Sequence, residues 1–262
     1  MNETEDLKQL SKKIRRVVVQ MAHNSKSAHV GSALSCIDIL TCLFFKIMKP
    51  EDRFILSKGH GCMSYYAVLK EKGFFDQGFL DRYSTNGAEL PEHPPVGING
   101  IELGTGSLGH GFSISLGCAL ARKIKNLPGK EYVLLGDGEC NEGSIWEGAM
   151  VAANMNLNNV VAIVDRNCLQ ASGFVDQDDL SEKFLSFGWN VLDVDGNDID
   201  YLVHAFNMFV DFKDILTTKP KIIIANTIKG KGVSFMENNL EWHYRFPNDQ
   251  ELELSLKEID NA

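Results

Sequence analysis

Two short stretches of this 262-residue chain place hard oxygen donors at a spacing that suits a cation. Gly136-Asp137-Gly138-Glu139 closes the apolar run Tyr132 to Leu135, and Asp165-Arg166-Asn167-Cys168-Leu169 closes the run Val160 to Val164. Asp137 and Asn167 stand 30 residues apart, a length that one βαβ unit fills, so the two strand ends are expected side by side. Two such oxygens and a backbone carbonyl make half an octahedron, which magnesium accepts and completes with phosphate oxygens and water. Gly138 lets a backbone N–H approach a phosphate without a side-chain clash. A helix start near Ser144 adds a dipole that favours an anion. A lone Gly-Asp-Gly is a weak signal, and a βαβ unit with a glycine at one turn and an asparagine at the next also accounts for it. The paired spacing is the stronger observation. It specifies a metal–diphosphate site and names no substrate.

Seven histidines stand at 23, 29, 60, 93, 110, 204 and 243. His204 falls in an amphipathic helix pattern and reads as structural, and His23, near a helix end, meets the helix dipole. His29, His60, His93 and His243 differ, because each lies in a Gly/Pro-rich loop or at a strand end. Imidazole titrates near neutrality, so these positions suit proton movement at hydroxyl groups.

The elements that must position these groups follow from periodicity. Leu7, Leu10, Ile14, Val17, Val18 and Met21 recur at helical spacing, with Thr4 as the expected N-cap. A second helix is predicted from about Ser32 to Ile47. Phe75 to Gly104, rich in Gly, Pro, Asn and His, reads as a long irregular segment, and such segments are usually functional or mobile. Strands are predicted at Tyr132 to Leu135, Val160 to Val164, Val191 to Val194 and Ile222 to Ala225. Helices are predicted at Ile145 to Leu157 and Ile199 to Phe212. Buried strands alternating with helices make a parallel α/β sheet, whose ligands sit at the carboxyl ends of the strands.

The bulk properties exclude several classes. A net charge of −9 without charge runs makes the chain a poor binder of nucleic acid or an anionic membrane. The polar N-terminus lacks the apolar core of a signal peptide. The most apolar stretch, Ile37 to Met48, is too short to span a bilayer. Six scattered cysteines without a C-x-x-C pair argue against a zinc site and suggest a reducing cytosol, so the expected location is cytoplasmic.

Gly136-Asp137-Gly138 followed by Asn167 resembles the diphosphate motif of the thiamine diphosphate-binding fold, and the chain to about Leu256 is similar to the first domain of a transketolase. Ser27-Ala28-His29-Val30-Gly31 resembles the family's Ser-Gly-His-Pro-Gly. Arg53-Phe54-Ile55-Leu56-Ser57-Lys58-Gly59-His60-Gly61 is close to its next signature. Gly104-Thr105-Gly106-Ser107-Leu108-Gly109-His110-Gly111 resembles Thr-Gly-Pro-Leu-Gly-Gln-Gly. Lys229-Gly230-Lys231-Gly232-Val233 followed by Trp242-His243 matches the end of the domain. The resemblance implies one domain over residues 1–262, an α/β fold with a parallel sheet flanked by helices, of the diphosphate-binding (PP) type. It implies thiamine diphosphate with magnesium or another divalent cation, ligated by Asp137, Asn167 and the Leu169 carbonyl. Gly138, His60, Asn167 and His243 are implied near the diphosphate, and Gly106 and Leu108 at the cofactor's rings. Glu142 is placed with this cofactor group. Acids at the positions of Glu142 and Glu147 join a network across the family's dimer interface, and helix-dipole stabilisation of about 0.3–1 kcal/mol each accounts for them equally well.

The implied reaction splits a C–C bond of a ketose and passes a two-carbon unit to an aldehyde. His29 and His243 polarise or deprotonate substrate oxygens, and His93 orients the donor end. Val30 departs from the family's Pro and His110 from its Gln. Tyr244 and Arg245 stand where related sequences have small residues, so they narrow or recharge the substrate channel unless Arg245 is a surface cation. In complete transketolases a glutamate of a second α/β domain activates the aminopyrimidine ring, and most substrate-phosphate-binding residues lie there too. No second set of βα units follows in this sequence. The expectation is therefore a C-terminal partner subunit carrying the pyrimidine-binding domain, in a heterotetramer with two copies of each chain, acting on sugars or sugar phosphates. Two alternatives stay open: the α chain of a 2-oxo acid dehydrogenase, which shares the Gly-Asp-Gly…Asn signal, and a non-catalytic regulatory subunit. His29 and Trp242-His243 favour the transketolase.

Overall fold

A computed structural model of the chain describes residues 3–171, 173–175, 179–211 and 218–261. The strands are β1 (Arg53–Leu56), β2 (Glu131–Gly136), β3 (Val160–Arg166), the short antiparallel pair β4 (Leu169–Gln170) and β5 (Gly173–Phe174), β6 (Asn190–Asp195) and β7 (Lys221–Asn226). The main sheet has the order β1-β2-β3-β7-β6, and every neighbouring pair is parallel. The helices are α1 (Glu3–Ser25), α2 (Val30–Ser35), α3 (Ile37–Cys42), α4 (Cys62–Glu71), α5 (Gln77–Leu80), α6 (His110–Ile124), α7 (Gly143–Asn154), α8 (Leu180–Ser186), α9 (Ile199–Asp211) and α10 (Asp249–Asn261).

Successive residues of a strand point to opposite faces, and the inner strands here are apolar on both. Tyr132, Leu134, Val161, Ile163 and Ile223 join one core with α1, α2, α3, α4 and α9. Val133, Leu135, Val160, Ala162, Val164, Ile222 and Ile224 join a second core with α6, α7 and α8. Helices on both faces leave the strand ends as the exposed rim where a ligand can enter.

The observed elements extend the predicted strands by one or two residues and add β1, α4, α5, α6, α8, α10 and the β4–β5 hairpin. Thr4 lies inside the first turn of α1 and bonds Asp200 instead of capping the helix. The expected end of α9 at Phe212 lies outside the described residues. The helix expected over 32–47 is broken. Its parts are α2, α3 and a π-helical turn, Leu43–Ile47, with Cys36 at φ −97°, ψ 7° between the first two. The cause is side-chain competition for one carbonyl. Ser32 O accepts from Lys58 Nζ at 3.0 Å and from Ser35 Oγ at 3.0 Å, so it is taken from the helical ladder. The 75–104 segment is irregular apart from α5, capped by Asp76. Tyr65 and Tyr66 hold it by donating to Gly100 O and Pro91 O.

Asp165, fully buried on β3, is the junction of these elements. It accepts from Ser35 Oγ of α2 at 2.6 Å, from Thr227 Oγ1 after β7, and from Lys58 Nζ after β1. Burial alone pushes the Lys58 ammonium down, but Asp165 outweighs it and holds Lys58 above its ordinary value. Breaking a buried pair leaves an uncompensated charge, so Asp165→Ala is expected to cost about 3–5 kcal/mol in urea denaturation, and Lys58→Met with Asp165→Ala together less than either change summed. A loss below about 1 kcal/mol for Asp165→Ala would show that the pair does not organise the fold.

Candidate active site

A cavity of about 330 Å³ opens at the carboxyl ends of β1, β2 and β3. Its lining brings together His29, His60, His93, Gly106, Leu108, Asp137, Gly138, Asn167, Leu169 and His243, which the sequence scatters over more than 200 positions. His29 and His243 are nearly perpendicular with ring centroids 4.8 Å apart. His29 lies 5.6 Å from His60 and 6.3 Å from His93. His29 is held in the left-handed region, φ 70° and ψ 14°, and its N–H donates to His243 O at 2.9 Å. A non-glycine residue in this region stores strain, which is typical of functional positions.

Glu142 is not brought into this lining. It is exposed at the N-cap of α7, and Glu147 lies further along the same helix beside a separate surface cavity. The acid that enters the lining is its neighbour Glu139. Its carboxylate accepts from Ser57 Oγ, from Gly109 N at 2.8 Å and from Gly136 N at 3.1 Å, so it joins the β1, β2 and Gly104–His110 loops. Tyr244 lines the cavity with its ring 4.8 Å from His243. Arg245 does not. It stacks over Trp242 at 4.6 Å and pairs with Glu241 and Glu251, which makes it a surface cation. Lys58, Lys229, Ser32 and Gln170 also line or border the cavity, and sequence reasoning gave them no role. Lys58 and Lys229 stand inside quoted motifs. Nothing local in the sequence shows that both ammoniums turn inward.

Lys229 Nζ meets Leu169 O at 3.1 Å and His243 Nδ1 at 2.8 Å. Burial, helped by Lys58, lowers Lys229 to about 8. Burial and Lys229 lower His243 to about 3, and burial and His93 lower His29 to about 4. Burial and Lys58 hold His60 well below the usual imidazole range. The rings are therefore neutral at pH 7. Accepting from Lys229 at Nδ1 leaves His243 its Nε2–H to donate. The Nδ1 atom of His29 is buried without a partner among the described residues, an orphan that a ligand would satisfy.

The expected cation ligands are close together. Asp137 Oδ2 accepts from Cys168 N, Asp137 Oδ1 from Gly138 N at 2.7 Å, and Asn167 Oδ1 from Leu169 N at 3.1 Å. The Gly138 N–H is thus engaged by Asp137 rather than standing free. Each of these oxygens, and Leu169 O, has a further lone pair. Burial and Asp165 raise the Asp137 carboxyl above the usual carboxylate range, as expected of a carboxylate short of positive charge. A hard divalent cation fits that deficit. Among the described residues no three His, Cys, Asp or Glu side chains cluster as a metal site.

A parallel α/β sheet with a histidine-rich cavity at its strand ends has the layout in which such sheets bind their ligands. The sequence profile of the transketolase thiamine diphosphate binding domain matches residues 7–257, and the chain belongs to the transketolase family. An apulose-4-phosphate transketolase subunit of Phocaeicola vulgatus is 38% identical over 270 residues, covering 98% of this chain and 95% of that protein. A 6-deoxy-6-sulfo-D-fructose transketolase subunit of a Clostridium species is 39% identical over 252 residues, covering 91% and 90%. The crystal structure of transketolase from Campylobacter jejuni superposes with a TM-score of 0.90 at 26% identity, over 99% of this chain and 43% of that one. The chain thus spans less than half the length of the solved transketolases it matches. This membership sets aside the 2-oxo acid dehydrogenase reading.

The lowered imidazole values fix a pH dependence. His29 is neutral in the fold but protonates near 6.5 when unfolded, so the unfolded state binds more protons between about pH 6.5 and 4. Stability should therefore be constant above that window and fall as pH drops through it. From about pH 7.5 to 5 His29 should contribute about 1–2 kcal/mol of the loss, allowing for its exposed edge. Urea titrations of wild type and His29→Asn at both pH values test this. An equal loss in the two proteins would show that His29 is not held neutral.

Proposed function

We propose that residues 1–262 act as one domain, the cofactor-holding subunit of a two-chain transketolase that moves a two-carbon ketol unit from a ketose to an aldose. The carrying observation is the meeting of Asp137, Asn167 and the Leu169 carbonyl with His29 and His243 in one cavity. Asp137, Asn167 and Leu169 O would hold magnesium or another divalent cation. Gly138, His60, Lys58 and Lys229 would meet the diphosphate, and Gly106 and Leu108 the rings. When bound, thiamine diphosphate supplies the nucleophilic carbon that C–C cleavage of a ketose requires.

This chain's residues would do the rest. His243, with Nδ1 taken by Lys229, donates from Nε2 to a substrate oxygen. His29, with its unpartnered Nδ1, exchanges a proton with a substrate hydroxyl. His93 lies beside the His29 ring and orients the donor end, and Tyr244, beside His243, narrows the mouth. The names of the relatives specify a phosphate on one ketose and a sulfo group on another, which supports a ketose bearing an anionic group. Arg245 is turned away, so a partner chain is the proposed source of the cation for that group. Relatives named as subunits, matched over at least nine-tenths of their length, support that partner, and the assembly proposed is a heterotetramer with two copies of each chain. Six free cysteines support a cytoplasmic location.

Two experiments test the reading. The isolated chain should show no ketol transfer, and the purified partner should restore it, because the activating group is assigned to that partner. Robust turnover by the chain alone would refute the division of labour. In the assembled enzyme, Asp137→Ala should abolish magnesium-dependent cofactor binding. His243→Ala should keep most of that affinity and lower turnover roughly 10²–10⁴-fold. Cofactor titrations beside steady-state rates separate the two, and near-normal turnover of His243→Ala at saturating cofactor would assign this ring to structure.

A further inference from the structure

Glu92 is a half-buried carboxylate outside the cavity lining, and its Oε1 receives two hydroxyls. Ser27 Oγ donates to it at 3.1 Å and Ser84 Oγ at 2.9 Å. An ionised carboxylate only accepts, so both hydroxyl protons must point at it, and such bonds are stronger than neutral ones. Two of these residues adjoin site histidines. Ser27 stands two residues before His29 in the loop between α1 and α2, and Glu92 directly precedes His93.

The backbone that Glu92 joins is strained. Lys26 at φ 55° and His29 at φ 70° stand on either side of Ser27, and Ser84 itself is at φ 52°. Non-glycine residues keep the left-handed region only where their surroundings over-determine them, and such strain gathers at functional sites. Ser27 is 1% exposed, its N–H donates to Ala22 O at 3.2 Å and its hydroxyl to Glu92, while the His29 N–H goes to His243 O. The segment around His93 is boxed in. Tyr66 donates to Pro91 O at 3.0 Å, Thr105 N donates to Pro94 O at 3.1 Å, and a Cβ on Gly59 or Gly106 would come within 3.1 or 3.2 Å of His93 Cδ2. Glu92 therefore carries a fixed position from the His93 segment to the loop of His29. Its charge acts on the same ring. Burial, His93, Lys229 and Lys58 lower His29, and Glu92 works against them.

We propose that Glu92 is a positioning residue for the ketose donor: by tying Ser27 to the His93 segment it sets the 6.3 Å separation of the His29 and His93 rings, against which the donor end rests. This role rests on the reading of those two rings as donor contacts. Glu92 touches no reacting atom and acts through its neighbours. The same carboxylate favours the charged form of a ring that takes a proton from a donor hydroxyl. Asp137 and Asn167 accept from Gly138, Cys168 and Leu169, not from this clamp, so cofactor affinity lies outside its reach.

Steady-state kinetics of the assembled enzyme, beside cofactor titrations, test this. Glu92→Ala should lower kcat/KM for the ketose about 10–100-fold, the scale of a misplaced contact, and leave the affinity for thiamine diphosphate unchanged. Glu92→Gln keeps an oxygen for both serines but no charge, so the donor KM should return toward wild type while kcat stays lowered. Ser27→Ala combined with Glu92→Ala should cost little more than Glu92→Ala alone, because one contact is removed twice. If Glu92→Ala does not fold, Ser27→Ala, expected to act in the same direction, decides alone. Imidazole resonances of the full chain give a second readout: those of His29 and His93 should move in Glu92→Ala, and that of His204 should not. Donor kcat/KM near wild type in Glu92→Ala overturns the proposal, as does a donor KM no better in Glu92→Gln than in Glu92→Ala. A wild-type enzyme without ketol transfer fails the active-site reading, whereas resonances unmoved in Glu92→Ala fail the clamp, so the two failures are told apart.

Discussion

Asp165 accepts from Ser35, Lys58 and Thr227, three side chains that arrive from α2, from the end of β1 and from the end of β7. An unpaired carboxylate in that interior is costly enough that none of the three can leave without the others yielding. Each donor is tied to part of the cavity. Ser35 fixes α2 behind His29, Lys58 stands two residues before His60, and Thr227 opens the turn that leads to Lys229. The same demand breaks the second helix, because Lys58 also reaches Ser32 O. The placement of His29, His60 and, through Lys229, His243 is thus tied to satisfying one charge on β3.

Electrostatics around that charge prepare the cavity for an anion. Two buried ammoniums and several neutral imidazoles surround Asp137, whose carboxyl is raised by burial and by Asp165. Neutral rings donate and accept hydrogen bonds without adding to the charge that the walls must bury. A diphosphate and a divalent cation entering together bring opposite charges, and each offsets the desolvation of the other. Lys229 sits on Leu169 O, one of the expected cation ligands, so cation entry and the position of this lysine are linked.

The parts of the fold legible in the sequence are those whose signal is local. Val160 to Val164 and Ile222 to Ala225 are buried on both faces, so their apolar runs announce strands, and Asp137 and Asn167 follow such runs directly. β1 has only four residues and begins with exposed Arg53, which gives periodicity little to work on. The break at Cys36 depends on Lys58, and every residue of α2 and α3 is buried, so no polar face marks the interruption. Glu142 and Glu139 show the same limit within one turn. Both are glutamates beside the Gly-Asp-Gly motif, and only the short 3-10 turn Gly138–Asn141 decides that Glu139 points inward. Lys229 was visible in its motif, but its contact with His243 needs the chain to return from Trp242.

The order β1-β2-β3-β7-β6 has a consequence for biosynthesis. β7 is the last strand of the sheet to be made, yet it lies between β3 and β6, and the turn behind it carries Lys229 toward His243, whose carbonyl caps His29. A chain emerging from the ribosome can assemble β1, β2 and β3 early, but it has no cleft until His243 is free. Fragments that end before β7 carry Asp137, Asn167 and Leu169 but not Lys229 and His243, so the cleft that the whole chain forms is incomplete in them. Completion of the cleft is deferred until the whole sheet has been synthesised.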